Sequence, residues 1–202
     1  MNNTNKKNEK LQIPNNPSYV GVHPVKFLIW LLILASIMLF GALTSSIIVS
    51  SAGRPWAKFN IPSQFYISTA LVLLSSLTMQ LAYINAKKDE INLVKLFASV
   101  TLVLGIVFIG LNYSGWMDLA KKGFALSNEI SGGQSASFFH ISTYLHAAHV
   151  LLGLALVAAT LVQTFQYKVH RKNLLIINIS TTYWHFVDLL WIYLFLFLIL
   201  SL

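Results

Sequence analysis

The sequence predicts an all-α, polytopic membrane protein, a bundle of five transmembrane helices, and three observations predict it. Of 202 residues, 56% are hydrophobic and only 10% charged, against roughly 25% charged in soluble domains. Five apolar runs each reach the ~20 residues that cross a ~30 Å hydrocarbon core as a helix. None shows the two-residue alternation of a barrel strand, so helices are the spanning form.

Residues 1–25, MNNTNKKNEKLQIPNNPSYVGVHPV, are polar and Asn-rich, without the apolar run and small-residue cleavage site of a secretory signal, and are expected to form a flexible tail. The five-helix domain then covers 26–202, with spans at about 27–50, 62–86, 92–113, 137–167 and 174–202. The fourth is long enough to tilt or project from the membrane. Between them lie the Gly/Pro turn SSAGRPWAKFNIPS, the tight charged turn NAKKDEIN, the long loop YSGWMDLAKKGFALSNEISGGQSA and the basic connection YKVHRKN.

The amino-terminal segment, the second loop and the fourth loop hold ten of the fourteen Lys and Arg residues. This asymmetry predicts the amino terminus inside and the carboxyl terminus outside. A net charge of +8 does not point to nucleic acid, because the basic residues lie between apolar runs rather than on one face. The absence of cysteine excludes disulfides, thiolate metal sites and a two-cysteine copper centre.

The chemistry-bearing residues lie inside the apolar runs, where a charged group costs at least ~2.5–3.5 kcal/mol. In the fourth span, Ser142, His146, His149 and Gly153 recur at helical spacing as a narrow polar stripe. In the fifth, TTYWHFVDLLWIYLFLFL sets His185 and Asp188 three apart, among Tyr183, Trp184 and Trp191. At ~1.5 Å per residue both clusters fall within roughly 10 Å of the midplane, at a depth where they could meet. Three readings compete. The histidines could ligate haem or a metal, as in a small cytochrome b with His146 or His149 opposite His185. Asp188 and His185 could form a proton or ion path in a small carrier. Or the polar groups could satisfy one another and fix helix packing within a larger complex, which the Gly, Ala, Ser and Thr residues of spans one and two favour. Spacing argues against two span-four histidines sharing one haem, and the single membrane carboxylate and missing inverted repeat argue against a complete transporter. SGGQSAS lacks the lysine and context of a phosphate loop. Trp30, Trp56, Trp116 and Trp184 are candidates for interfacial anchors, and His23 and His170 for solvated residues.

YWHFVDLLWIYLF (Tyr183–Phe195) closely resembles the last-helix signature of subunit III of the haem–copper terminal oxidases. YLHAAHVLLG (Tyr144–Gly153) is similar to that family's penultimate-helix motif, FYISTALVLLSSLTMQLA to its Ser-rich helix, and Leu104-Gly105 through Trp116 to the next. The resemblance runs from about Leu34 to the end. It implies a five-helix, non-catalytic accessory subunit, with no haem, copper or other metal of its own. Haem and copper would reside in partner subunits, structural phospholipid would bind in a cleft, and the partners would be catalytic subunit I, other oxidase subunits and, in some systems, a respiratory supercomplex. On that model the subunit stabilises the catalytic subunit of a cytochrome c oxidase of aa3 or caa3 type, or of a quinol oxidase, in a bacterial cytoplasmic membrane. His146, His149, Tyr183, Trp184, His185, Asp188 and Trp191 would then serve packing or lipid contact. Departures from the family pattern are a span-one stretch, ILASIMLFGALTSS, with no acid, and Asn112 and Gly115 where the family carries Gln and Glu.

Overall fold

The computed structural model describes residues 23–53, 59–124, 133–167, 169, 171 and 173–201. The tail expected over 1–25 lies almost wholly outside them, as do Trp56 and His170. The described residues form five helices: α1 (Pro24–Gly53), α2 (Ser63–Lys87), α3 (Ile91–Lys121), α4 (Gly133–Phe165) and α5 (Leu175–Ser201). All five are long and apolar enough to cross a membrane.

The largest departure from expectation is at the end of α3. Sequence punctuation ends that span near residue 113, with YSGWMDLAK in the following loop, yet the helix runs on to Lys121. Packing overrides the glycine signal. Gly115 faces Phe65 of α2 so closely that a Cβ there would sit 2.6 Å from Cε2. One residue on, the Trp116 indole N–H donates to Thr143 of α4 at 3.0 Å, and Leu119 is fully buried. The helix then stops at Gly123, whose φ of 89° suits only glycine, and the amides of Gly123 and Phe124 close onto the carbonyls of Ala120 and Leu119.

The α2–α3 turn ends the same way without glycine. Asp89 takes a φ of 60°, while its amide and that of Glu90 bond the carbonyls of Ala86 and Asn85. Asp tolerates that left-handed conformation, and its carboxylate has a further use: Oδ1 accepts the Arg171 amide at 2.6 Å. That bond ties the second loop to the fourth, so the two basic loops emerge at one end of the bundle.

Helix α5 is the centre. In its most apolar stretch 44% of residues are buried, against 22% in α1. It packs on α4, α2 and α1; α2 packs on α3, and α3 on α4. Helix α1 touches only α4 and α5 among the described elements. The outward faces carry exposed Leu28, Met38, Leu77, Ile106 and Leu200, an apolar surface suited to hydrocarbon.

Candidate functional site: the polar interior around α5

Trp184 of the WHFVD stretch is an interior residue rather than an interfacial anchor: it is 2% exposed and fits a slot cut by two glycines. A Cβ on Gly105 of α3 would meet its Cη2 at 2.8 Å, and one on Gly153 of α4 would meet its Cε3 at 3.1 Å. Its N–H donates across to Ser75 of α2 at 3.2 Å. Trp30, by contrast, is 60% exposed.

Trp191 is the second hub. Its ring lies 4.8 Å from His146, 5.1 Å from Phe108, 5.8 Å from Phe195 and 6.3 Å from Phe65. Its N–H donates to Thr69 of α2 at 3.0 Å. Tyr183 is fully buried, and its hydroxyl reaches the His149 carbonyl at 3.4 Å. The span-four and span-five clusters therefore meet, through aromatic rings and backbone rather than through histidine against carboxylate.

The three candidate imidazoles turn to three different neighbours. His146 packs against Trp191 at an interplanar angle of 32°, with Phe108 edge-on. His149 donates from Nδ1 to the Leu145 carbonyl at 2.8 Å, which leaves Nε2 as the acceptor facing Ser36 of α1 at 3.1 Å. The Ser36 hydroxyl is shared, since the Leu32 carbonyl lies 2.7 Å away. His185 points to α2: Nε2–H donates to Oε1 of Gln80 at 3.0 Å, and in a neutral ring Nδ1 then accepts from the Ser76 hydroxyl at 2.7 Å. Ser76 also bonds the Asp188 carboxyl, whose Oδ2 has no partner among the described residues, so α2 contacts both polar residues of the motif. Because α1 and α2 do not touch, His149 and His185 do not flank a common space for a haem. Among the described residues no group of three or more His, Cys, Asp and Glu side chains forms a metal-binding cluster.

The sequence stripe passes over three partners. Gln80 sits one turn from Ser76 inside an apolar run, and that isolated amide was the available signal. Ser36 bonds its own helix, as hydroxyls in membrane spans usually do, so nothing in its pattern sets it apart. His140 is off the stripe; it is 1% exposed, its Nδ1–H bonds the Ala136 carbonyl at 2.8 Å, and Tyr144 packs beside it.

Between α1 and α5 lies an apolar cavity of about 370 Å³, lined by Ile37, Phe40, Gly41, Phe186, Leu189, Leu190 and Tyr193.

Comparison with known proteins agrees with this architecture. The family model described as cytochrome c oxidase subunit III matches residues 20–201. Relatives named "Probable quinol oxidase subunit 3" align over 172 residues, covering 82% of this chain and 83% of theirs: those of Staphylococcus saprophyticus and Staphylococcus aureus are 29% identical, and that of Staphylococcus haemolyticus 28%. A five-helix membrane bundle whose last two helices interlock through the Trp184 and Trp191 slots, matched almost end to end by that model, belongs to the cytochrome c oxidase subunit III family, the accessory third subunit of haem–copper oxidases.

Proposed function

We propose that the chain is a bracing subunit that carries no haem or copper itself, docks beside the catalytic subunit in a bacterial cytoplasmic membrane, and holds phospholipid along its flank. Its amino terminus lies in the cytoplasm on this reading, as the Lys and Arg distribution indicates.

The observation that carries the docking part is the position of Gln80 and His185. Gln80 is exposed and His185 half-buried on the outer face of the α2–α5 seam. Gln80 stands about 7.5 Å, and His185 about 4.5 Å, from its helix midpoint, well inside a hydrocarbon half-thickness of ~15 Å. Lipid tails offer such groups no hydrogen bond, whereas a neighbouring subunit with a polar side chain at that depth does.

For the electron donor, the names of the staphylococcal relatives favour quinol, and the family model's description supports cytochrome c as the second reading. Pull-down of the tagged chain from mildly solubilised membranes tests both levels. The expected result is that a haem-containing complex with oxygen uptake follows the chain, while the chain stripped of partners is colourless. Uptake driven by quinol but not by reduced cytochrome c selects the first donor. A haem band retained by the stripped chain overturns the proposal. His185→Leu or Asp188→Leu should lower the recovered complex or its endurance during turnover and leave its haem spectrum unchanged. Loss of a haem band with the complex intact would sink the packing account.

A further inference from the structure

Five buried polar atoms in the bundle interior find no hydrogen-bond partner among the described residues: Oδ1 of Asn112, Oγ of Ser142, both ring nitrogens of His146 and Oδ2 of Asp188. The four residues are at most 5% exposed. They lie along the three helices that meet at one aromatic hub, Asn112 and Ser142 about one turn to one side of it and Asp188 about one turn to the other. Asn112 follows Phe108 by one turn of α3, and the Phe108 ring stands edge-on to both His146 and Trp191. Ser142 precedes His146 by one turn of α4, and Asp188 precedes Trp191 by three residues of α5, spacings that share a helix face.

Each departs from what its neighbours do. Thr143, Thr160 and Thr164 of α4 bond the carbonyl one turn back, and Ser142 does not. His140 and His149 of the same helix donate from Nδ1 to the carbonyl four residues earlier; His146 leaves both nitrogens free. Asn112 uses its Nδ2 on the Phe108 carbonyl at 2.9 Å, which turns Oδ1 the other way.

A buried polar group without a partner costs ~1–3 kcal/mol, and when water is counted some 90% or more of such groups are satisfied. We propose that ordered water occupies this α3–α4–α5 junction on both sides of Trp191, bonding Asn112, Ser142 and His146 on one side and Asp188 on the other. The mixture of groups selects the ligand. Asn112 Oδ1, one His146 nitrogen and the Asp188 oxygen can accept, whereas the other ring nitrogen and the serine hydroxyl can donate. Among the described residues no group of three or more His, Cys, Asp and Glu side chains is placed to hold a metal ion, and an anion would meet a carbonyl and a carboxyl. Water, with two donors and two acceptors, suits the whole set, and the indole and phenyl walls limit the occupant to small molecules. From Asp188 the polar line continues through Ser76 and His185 to exposed Gln80, so the hydrated junction is the inner end of a path to the bundle surface.

A map of the intact oxidase complex, at a resolution that shows ordered water, tests this. The expected result is density within ~2.7–3.2 Å of a His146 ring nitrogen and of Ser142 Oγ or Asn112 Oδ1. Direct bonding of the ring nitrogens to protein atoms, or density there that belongs to lipid or to another subunit, overturns it. In the Asn112→Leu complex, density beside position 112 should disappear while that beside Ser142 remains. Density unchanged at position 112 would also overturn the proposal. Neither readout depends on the electron donor or on haem content, so the proposed function can fail while this site stands.

Discussion

The two flanks of α5 are built on different principles. On the α2 side, directional bonds recur along the seam: Thr69 to Trp191, Ser75 to Trp184, Ser76 and Gln80 to His185, and Tyr83 to Asn178. On the α1 side, the cross-helix bonds are Ser36 to His149 and Thr44 to Tyr193, beside an apolar cavity. In a bilayer the hydrophobic effect does not drive helices together, because lipid is as apolar as leucine. Close packing and hydrogen bonds therefore set which helix sits where. The α2 flank is fixed by directional bonds, whereas the α1 flank is held largely by dispersion.

That contrast can be broken most directly at the hub. Trp191→Ala removes a ring that touches four others and should destabilise the subunit by ~3–5 kcal/mol, the range for large aromatic truncations; Ile37→Ala, at 53% exposure on the α1 flank, should be nearly silent. Denaturation by SDS titration measures both, and equal losses would erase the distinction.

Glycine substitutions sharpen it. Gly105→Leu drives side-chain atoms into Leu154 and Trp184, and overpacking of this kind costs ~1–3 kcal/mol. Gly41→Leu should be tolerated, since a Cβ at Gly41 meets nothing within 4 Å. Recovery of folded subunit from membranes reads the pair, with the difference expected in that order.

Single hydrogen bonds give smaller effects. Ser76→Ala cuts the links to His185 and Asp188 together and should approach the ~1.7 kcal/mol upper end measured for membrane bonds. Thr44→Val, which loses only the Tyr193 contact across helices, should cost about 0.6 kcal/mol. A reversed order, read in the same titration, would mean that α1 is held as specifically as α2.

The fold was largely legible because its signals are local. Span number, helical form and the charged turns follow from run length and punctuation, and the error at the end of α3 arose where Gly115 read as a loop residue while the packing of Phe65, Trp116 and Leu119 kept the helix going. The site was legible in composition but not in pairing. His146 and His149 read as one stripe, yet three residues rotate a side chain by about 60° around the axis, enough to put one ring against α5 and the other against α1. His185 and Asp188 were found as a pair. That both bond one serine on α2, rather than the histidines of α4, needed the neighbour to be known.

By itself, then, the sequence determined that this is a five-span membrane helix bundle with polar groups at mid-depth, since the cost of moving backbone and charge into hydrocarbon acts on each segment separately. Only the tertiary structure decided which helix answers which polar group, that Trp184 sits in a two-glycine slot, and that Asn112, Ser142, His146 and Asp188 keep buried polar atoms without a partner among the described residues. Those outcomes depend on ångström-scale contact between segments distant in the chain, and apolar faces that are equally content in lipid carry no address for their neighbours.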